Sequence, residues 1–356
     1  MESFSQPETI MEKPLTREEI VSVIEGKSNA RRVPFNIHFW VHTDTFGQKA
    51  QAVKEILSRY PQDIQVQTMA IPAVFDAPED YPDYRWVNWD DPYKDTNVGM
   101  DERIALPDWA RFDEVLKSFP DPEYPGLFDN FSKQRDPRYR LGHWWFCLFE
   151  RHWSLRGMTE ALMDYYIEPD NVHRLFRALT DFYVRIITRA AKEQHCDGIW
   201  ISDDLGTQTG PFFSPEIFKE FFKPYYDEMI STCHELGMHT WMHVCGNIEA
   251  FLPDLIEIGL DVIHPIQKHT MIERDIAEKY GESITIFSGL DVQQVIPWGT
   301  PDEVRQEVRF LIDTFWRNGK CMLTAGNGIN QDCPLESLEA FFEEALNYGT
   351  ANALRS

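Results

Sequence analysis

The chain has 356 residues, a length that suits one large α/β barrel or two domains of average size. Hydrophobic residues make up 43% and aromatic residues 13% of the sequence, which is enough to fill a core and excludes a mainly disordered chain. The formal net charge of −24 repels phosphate backbones, so nucleic acid is a poor partner.

The sequence also argues against a membrane protein or a secreted protein. Residues 1–15 contain no apolar run of the signal-peptide type, and no stretch of about 18 consecutive apolar residues predicts a membrane span. The 6 cysteines are scattered along the chain and do not form a disulfide scaffold. We therefore expect a soluble, cytoplasmic enzyme.

The amino-terminal half is the less regular part of the sequence. Its apolar spacing predicts the following elements: helix Leu15–Glu25, strand Val33–Val41, helix Gln48–Arg59, strand Leu141–Phe149 and helix Leu155–Tyr166. Thr16 is the expected N-cap of the first helix. Residues 71–140 are rich in Pro, Asp, Trp and Tyr and lack periodicity, which favours a functional loop or lid over a plain linker.

The carboxy-terminal half alternates strand and helix. The predicted strands lie at Asp197–Asp203, Met238–Val244, Asp261–Ile266, Ser283–Leu290 and Lys320–Ala325. The helices that follow them are predicted at Pro215–Leu236, Ile248–Ile258, Met271–Tyr280, Pro301–Arg317 and Leu335–Tyr348. Helices of this length can cross over a parallel sheet, so the pattern predicts a (β/α)8 barrel or a doubly wound open sheet.

The positions of the polar residues favour the barrel. Polar side chains follow several different strands, namely at Asp203, His243, His264, Gln267, Asp291 and Asn327. Barrels build their active sites from the carboxyl ends of many strands, whereas an open sheet concentrates ligand contacts at one switch point. We therefore predict an N-terminal helical extension over residues 1–32 and a single (β/α)8 barrel over residues 33–350, in which residues 71–140 form an irregular lid or insert.

The motif His243-Val-Cys245-Gly-Asn, directly after a predicted strand, is the sharpest local feature. Residues i and i+2 of a strand point to the same side, so this imidazole and thiol can share one metal ion, for which zinc is suited. A catalytic zinc needs one more protein ligand, and Cys333, in the loop after the last strand, is the best candidate. The alternatives are a core histidine beside a buried thiol, and a Cys333 thiol packed under Pro334.

Acidic residues at strand ends are candidates for acid–base chemistry. Asp204 and Glu150 are assigned catalytic roles together with His243, because carboxyl groups at these positions can act as an acid or a base. Helix capping is the alternative for Asp204, and an internal ion pair with Arg151 or Arg156 is the alternative for Glu150.

Aromatic and polar residues near the same strand ends suit a flat, apolar ligand such as a benzene ring. The residues assigned to substrate binding are Asp203, Trp145, Trp241, Gln267, Asn327 and His38. Core packing is the alternative for most of the tryptophans.

Taken together, the motifs resemble the uroporphyrinogen decarboxylase superfamily, whose members fold as (β/α)8 barrels. The resemblance is carried by Phe149-Glu-Arg, Ser154-Leu-Arg-Gly157, Asp203-Asp-Leu-Gly-Thr-Gln208, Ser214-Pro-Glu216, Phe222-Lys-Pro224, His243-Val-Cys-Gly-Asn247, Pro265-Ile-Gln267, Gly289-Leu-Asp-Val-Gln293, Trp298-Gly-Thr-Pro301 and Ala325-Gly-Asn-Gly-Ile329. It covers residues 141–349 and is faint before them.

Two branches of this superfamily differ in chemistry. The decarboxylases carry an arginine-rich signature after the first strand, whereas residues 33–58 contain no arginine here. The cobamide-dependent methyltransferases carry an H-x-C zinc motif and a distant cysteine. The H-x-C motif matches His243 and Cys245, but the family's Gly-Cys-Gly is Gly326-Asn327-Gly328 in this chain.

The resemblance therefore implies an O-demethylase of the second branch, which moves a methyl group from a methoxylated aromatic compound to a Co(I) corrinoid on a partner protein. It implies zinc at His243, Cys245 and Cys333, and neither nucleic acid nor a membrane as a partner; a homodimer is compatible with the sequence. Two alternatives stay open: a decarboxylase of an aromatic or pyrrolic acid, and a non-catalytic barrel that binds a metal and an aromatic compound.

Overall fold

A computed structural model describes residues 12–27, 29–71, 104–134 and 136–353. Its centre is a sheet of seven parallel strands in which each strand pairs with the next along the chain. The strands are β1 (Ile64–Thr68), β2 (Tyr139–Trp144), β3 (Gly198–Ser202), β4 (His239–His243), β5 (Val262–His264), β6 (Thr285–Leu290) and β7 (Cys321–Ala325).

Helices connect successive strands and surround the sheet. They are α1 (Arg17–Ile24), α2 (Ala50–Arg59), α3 (Phe112–Lys117), α4 (Phe149–Arg156), α5 (Met158–Ile167), α6 (Pro169–Gln194), α7 (Pro215–Ile217), α8 (Lys223–Glu235), α9 (Leu252–Glu257), α10 (Glu273–Tyr280), α11 (Val295–Trp298), α12 (Pro301–Phe315) and α13 (Leu335–Ala353). A π-helical stretch at Phe218–Phe222 joins α7 to α8. Among the described residues, no helix has the length and apolar character required to cross a membrane.

The segment before β1 closes the sheet into a barrel. Phe35 forms a parallel bridge with Leu323 in β7, and the N–H of Asp63 donates a hydrogen bond of 3.2 Å to the carbonyl oxygen of Phe35. Residues 34–40 therefore occupy the place of the eighth strand, and the predicted (β/α)8 fold is confirmed.

This closing segment is irregular, although a regular strand is predicted at Val33–Val41. Pro34 lacks the N–H group that a complete ladder requires. A side chain replaces part of the backbone pairing, since the N–H of Ile37 donates a hydrogen bond of 2.8 Å to Oε1 of Gln62. The segment thus follows the path of a strand without the regular hydrogen bonding of one.

A buried ion pair anchors the closing segment. The carboxylate of Asp63 accepts hydrogen bonds of 2.6 and 2.7 Å from the guanidinium of Arg32, and further hydrogen bonds from the N–H groups of Leu15 and Phe35. Both charged side chains are 0% exposed. Because both carboxylate oxygens have partners, burial leaves no unpaired charge.

The first helix covers the end of the barrel at which the strands begin. Thr16 caps α1 as predicted, and it forms a reciprocal capping box with Glu19. At the start of β6, the hydroxyl of Thr285 donates a hydrogen bond of 3.1 Å to the carbonyl oxygen of Ile24. The N-terminal helix therefore packs on the barrel itself.

Four of the strands and helices named above were missed in the sequence: the short helices α3 and α11, the strand β1 and the long helix α6. β1 alternates as Ile64-Gln-Val-Gln-Thr68, but both glutamines are buried, and Gln67 accepts a hydrogen bond from the N–H of Ser132. Alternation of apolar and polar residues predicts a strand whose polar side faces water. β1 was not recognised because its polar side chains are buried as well. α6 has regular helical spacing over 26 residues, so this helix could have been predicted from the sequence.

The region around residues 145–157 also differs from the prediction. β2 ends at Trp144, and α4 begins at Phe149, inside the span predicted as a strand. Gly157, at φ 77, separates α4 from α5, so two helices replace the single one predicted at Leu155–Tyr166.

The predicted lid or insert at residues 71–140 is described only in part. Its residues 72–103 lie outside the described residues, so a lid there stays a prediction. The N–H of Ala105 donates a hydrogen bond of 2.8 Å to Leu155 in α4, and Arg189 in α6 donates one of 2.7 Å to the carbonyl oxygen of Pro122. The described part of the insert therefore packs on the outer helices.

We expect the change Asp63→Ala to destabilise the fold by about 3–5 kcal/mol, because it leaves the buried charge of Arg32 without its partner. Urea unfolding followed by circular dichroism measures the change. Asp44→Ala is the control, since Asp44 pairs with Lys54 at an exposed position, and it should leave the unfolding midpoint unchanged. Equal midpoints for the two variants would contradict the anchoring role of Asp63.

Candidate active site

The carboxyl ends of the strands surround a cavity of about 610 Å³, hereafter the aromatic chamber. Its aromatic lining residues are Phe39, Trp40, Trp145, Phe146, Trp200 and Phe287. Its polar lining includes His38, His143, Glu150, Asp204, His243 and Asn327. Barrel enzymes carry their active sites at this end of the sheet, and a cavity of this size can enclose a small aromatic ligand.

A second cavity, of about 310 Å³, lies beside Cys245 and is hereafter the polar chamber. It shares Trp40 and Asn327 with the aromatic chamber. Gln267, predicted to bind substrate, lines this polar chamber, and its Oε1 accepts a hydrogen bond of 2.6 Å from the N–H of Gly246. Gln267 therefore supports the loop after β4, and it lines the polar chamber but not the aromatic chamber.

His243, Cys245 and Asp204 form a group of three potential metal ligands. Nε2 of His243 lies 3.3 Å from Sγ of Cys245 and 3.5 Å from Oδ1 of Asp204, and the three ligand atoms lie within 4.8 Å of one another. Bond lengths to zinc imply separations of about 3.6 Å for N to S and about 3.3 Å for N to O in a tetrahedral site. The group therefore fits a catalytic zinc ion with three protein ligands and one open position.

Close backbone packing brings Asp204 to this group. Gly246 has φ +86, and a Cβ atom at this position would lie 2.2 Å from a backbone carbon of Gly206. Glycine is therefore required where the loop after β3 meets the loop after β4. At this contact, Oδ1 of Asp204 accepts a hydrogen bond of 2.7 Å from the N–H of Cys245.

A second histidine orients His243. Nε2 of His264 lies 3.1 Å from the carbonyl oxygen of Ala325, which only accepts, so this nitrogen carries the hydrogen. Burial lowers the pKa of His264 and of His243, so both rings are neutral. Nδ1 of His264 is then an acceptor, and Nδ1 of His243, at 2.6 Å, donates to it. The remaining nitrogen of His243 consequently presents a lone pair to Cys245 and Asp204.

The thiol of Cys245 is protonated unless a metal is bound. Burial raises the pKa of this thiol, and the carboxylate of Asp204 raises it further. Metal ions bind the thiolate form, so a metal that binds at this group displaces the thiol proton.

Glu150 is a buried acid in the wall of the aromatic chamber. It lies in the first turn of α4 and is 9% exposed. Burial raises the pKa of its carboxyl group well above the usual range, and the carboxylates of Asp204 and Asp203 raise it further. Within the described residues, its Oε2 atom has no hydrogen-bond partner. A protonated carboxyl group with a free oxygen can donate a proton to a ligand in the chamber.

Asp203 was predicted to bind substrate, but the structure does not place it in the lining of the aromatic chamber. Its carboxylate is 0% exposed and accepts hydrogen bonds of 2.8–2.9 Å from the N–H groups of Leu148, Phe149 and Glu150. It also accepts one of 2.5 Å from the hydroxyl of Tyr226 in α8. Asp203 therefore holds the start of α4 and does not line the chamber.

Trp241 was also predicted to bind substrate, but the structure places it in neither chamber lining. It lies on β4, two residues before His243, and is 0% exposed. Its ring packs against Tyr139 and Phe287, with centroid distances of 5.8 and 5.4 Å. Trp241 therefore belongs to the barrel core below the chamber.

Cys333 was predicted to be the third zinc ligand, but the structure does not bring it to the group of His243 and Cys245. Its buried thiol faces the carbonyl oxygen of Pro334 at 3.4 Å, and the residue lines neither chamber. The path of the loop before α13 turns it away from the site. The carboxylate of Asp204 is the third potential ligand that lies beside His243 and Cys245.

Three residues predicted to bind substrate do line the aromatic chamber. The ring of His38 stacks on Trp145 with centroids 5.6 Å apart and an interplanar angle of 23°. Asn327 lies where the two chambers meet, and its Oδ1 atom has no hydrogen-bond partner among the described residues. These positions are consistent with ligand contact.

The sequence analysis did not select His143, which also lines the aromatic chamber. Its Nδ1 atom lies 3.0 Å from the carbonyl oxygen of Trp200. The i, i+2 relation to Trp145 at the end of β2 is the pattern that would have indicated it, since such residues share one side of a strand.

The model of the uroporphyrinogen decarboxylase (URO-D) family matches residues 153–348, more than half of the chain. The chain belongs to the uroporphyrinogen decarboxylase family. The match includes β3 to β7 and therefore the His243–Cys245–Asp204 group.

Curated proteins that resemble this chain include methyltransferases. Methylcobamide:CoM methyltransferase MtbA of Methanosarcina mazei is 27% identical over 179 residues, which are 50% of this chain and 50% of that protein. Methylated-thiol–coenzyme M methyltransferase of the same organism is 25% identical over 175 residues, 49% of this chain and 44% of that protein. The chain thus spans about half the length of these relatives.

A solved structure extends the comparison to almost the whole chain. A methyltransferase from Methanosarcina mazei superposes with a TM-score of 0.60 over 94% of this chain and 99% of that chain, at 14% sequence identity. At this identity, the similarity shows a shared fold.

We expect zinc binding to require Asp204 and not Cys333. Loss of an outer partner of a metal ligand costs about 10–100-fold in affinity, so Asp204→Ala and Cys245→Ala should each cost more than that. Cys333→Ala is the matched control and should bind zinc as the unchanged protein does. Competition with a chromophoric chelator measures the affinity. Weakened binding in Cys333→Ala alone would contradict this ligand set.

We expect the change His264→Phe to weaken zinc binding by about 10–100-fold, because Nδ1 of His243 then loses the acceptor that directs its lone pair. His264→Asn provides an amide oxygen as a substitute acceptor and should recover part of the affinity. The same chelator competition measures both variants, and circular dichroism checks their folding. Unchanged zinc affinity in a folded His264→Phe variant would refute the orienting role.

Proposed function

We propose that this protein is a corrinoid-dependent methyltransferase whose methyl donor is a methoxylated aromatic compound and whose acceptor is a Co(I) corrinoid on a partner protein. The observation that carries the proposal is the position of the potential metal group. His243 and Asp204 line the aromatic chamber, and Cys245 lines the polar chamber beside it. The similarity to a methylcobamide:CoM methyltransferase supports a corrinoid as one of the two reactants between which the methyl group moves.

The proposed reaction is a nucleophilic substitution at the methyl carbon. The electron pair of Co(I) forms a bond to this carbon, and the bond between the carbon and the ether oxygen breaks with its electron pair staying on oxygen. The oxygen takes up one proton, so the products are a phenol and a methyl-Co(III) corrinoid. The protein need not supply a nucleophile, but it must orient the methyl group and assist the leaving oxygen.

Glu150 supplies the proton in this proposal. A phenol has a pKa of about 10, so a bare phenolate leaves slowly at neutral pH. The raised pKa of Glu150 keeps its carboxyl group protonated, and its unpartnered Oε2 lies in the wall of the chamber. Transfer of this proton to the ether oxygen makes the leaving group neutral.

His243, Cys245 and Asp204 would hold a zinc ion at the junction of the two chambers. When bound, zinc supplies a Lewis acid for the ether oxygen. His264 keeps the lone pair of His243 directed at this position, while the aromatic rings orient the substrate and exclude water from it.

Two alternatives fit the chamber less well. A polycarboxylate porphyrinogen requires cationic groups, and no lysine or arginine stands among the described residues that line the aromatic chamber. Methyl transfer to a thiol is favoured by the names of the relatives. However, Asn327 stands where the resembling methyltransferases have their third zinc-binding cysteine, and an aromatic wall serves an aryl ether better than a small thiol.

The proposal is tested with zinc-loaded protein, free cob(I)alamin as the acceptor and 2-methoxyphenol as the donor. We expect loss of the Co(I) absorption together with formation of catechol, and loss of this activity in His243→Ala and Cys245→Ala. A zinc-loaded, folded protein that methylates cob(I)alamin from a methylated thiol but from no aryl ether would overturn the aryl-ether assignment.

We expect the change Glu150→Gln to lower kcat with 2-methoxyphenol by about 100-fold or more, because an amide does not replace the acid. The loss should shrink with 2-methoxy-5-nitrophenol, whose para nitro group makes the leaving oxygen less basic. Glu160→Gln, at a more exposed position in α5, is the control. An equal loss with both ethers would show that Glu150 does not protonate the leaving oxygen.

A further inference from the structure

We infer that the aromatic chamber takes an uncharged methoxyphenol in preference to a methoxybenzoate, and that His143 selects the free hydroxyl group of this ring. The inference rests on the proposed function and names the substrate class of the same site. It is carried by the charges of the chamber and by one buried nitrogen without a partner.

The chamber offers no net positive charge to an anionic ligand, since a zinc ion held by His243, Cys245 and Asp204 would be neutralised by the thiolate and the carboxylate. The described residues that line it include no lysine or arginine, and they include the carboxyl groups of Glu150 and Asp204. Burial lowers the pKa of His38 to about 4 and that of His143 to about 3, so both rings are uncharged at neutral pH. A benzoate that entered would lose its hydrating water without gaining a counter-ion of its own.

His143 instead offers an acceptor for a hydrogen-bond donor. Its Nδ1 atom lies 3.0 Å from the carbonyl oxygen of Trp200, and because a carbonyl only accepts, this nitrogen carries the hydrogen of the neutral ring. The other nitrogen, Nε2, therefore has a free lone pair. It is buried and has no hydrogen-bond partner among the described residues, although the residue itself is 2% exposed and lines the chamber.

A buried acceptor without a partner is uncommon in proteins and indicates a missing donor. A phenolic hydroxyl is such a donor, whereas the oxygen of a second methoxy group is not. Sites built to pair with a substrate hydroxyl discriminate strongly against analogues that lack it, because the protein atom is then left unpaired. The chamber therefore favours a ring with a free hydroxyl beside the methoxy group.

The indole of Trp145 lies against the ring of His143, so a ligand that approaches Nε2 of His143 meets this indole. The indole packs edge-on against His143, with centroids 4.4 Å apart and an interplanar angle of 83°, and it is only partly buried. A ligand that reaches Nε2 shifts this indole and gains its surface for ring contact. Binding should therefore change the tryptophan fluorescence of the protein.

The first test compares three ligands on the zinc-loaded protein without corrinoid: 2-methoxyphenol, 1,2-dimethoxybenzene and 4-hydroxy-3-methoxybenzoate. Isothermal titration calorimetry and tryptophan fluorescence measure the affinities. We expect 2-methoxyphenol to bind about 10–100-fold more tightly than either of the others. Equal or tighter binding of the benzoate would overturn the inference about charge.

The second test is the change His143→Phe, which keeps a ring and removes the acceptor. We expect the preference for 2-methoxyphenol over 1,2-dimethoxybenzene to fall by about 10–100-fold, with the affinity for 1,2-dimethoxybenzene unchanged. His143→Gln, which restores an acceptor oxygen, should recover part of the preference. The matched control is His239→Phe at the opposite end of β4, and it should keep the full preference. A folded His143→Phe variant that also keeps it would refute the selecting role of His143.

The failure of this inference and the failure of the proposed function are distinguishable. Selective binding of 2-methoxyphenol without methyl transfer to cob(I)alamin would contradict the proposed function and support the selectivity. Methyl transfer from the benzoate at the rate seen with 2-methoxyphenol would support the function and contradict the selectivity. If His143→Phe does not fold, the three-ligand comparison on the unchanged protein still decides the charge argument.

Discussion

The carboxylate of Asp203 is the contact on which the active site depends. Buried at the end of β3, it binds three consecutive N–H groups at the start of α4 and the hydroxyl of Tyr226. These hydrogen bonds fix the position at which α4 begins. With the helix in this position, Glu150 lies in the wall of the aromatic chamber. The next residue, Asp204, turns the other way and meets His243 and Cys245. Two adjacent carboxylates therefore have separate positions: one fixes the start of the helix that carries Glu150, and the other joins the potential metal group.

The second organising feature is the hydrogen-bonded chain that ends at His243. A carbonyl oxygen of β7, a histidine of β5 and a histidine of β4 follow one another across the barrel. Because the carbonyl oxygen can only accept a hydrogen bond, it determines which nitrogen of each of the two histidines carries the hydrogen. The barrel thus specifies the tautomer of His243 in addition to its position. Residues that hydrogen-bond to a metal-binding histidine usually have this effect.

The sequence was sufficient for the fold and for part of the site. Strand–helix alternation and polar residues at strand ends predicted the barrel, and the i, i+2 relation predicted that His243 and Cys245 act together, because both patterns are local. Other placements differ from the expectation where they depend on tertiary structure. Trp241 points to the same side as His243 but lies one layer lower in the barrel. The spacing of residues along a strand does not show at which layer the packed core ends and the chamber begins. The orientation of Cys333 depends on the path of a loop, and that of Asp204 depends on a glycine contact between two loops.

The irregular segment at residues 34–40 has a consequence for how the protein matures. The same residues that close the barrel beside β7 also supply His38, Phe39 and Trp40 to the chamber. A molecule whose first segment has not yet docked therefore has an incomplete binding wall as well as an open sheet. Docking of this one segment therefore closes the sheet and completes the chamber wall together.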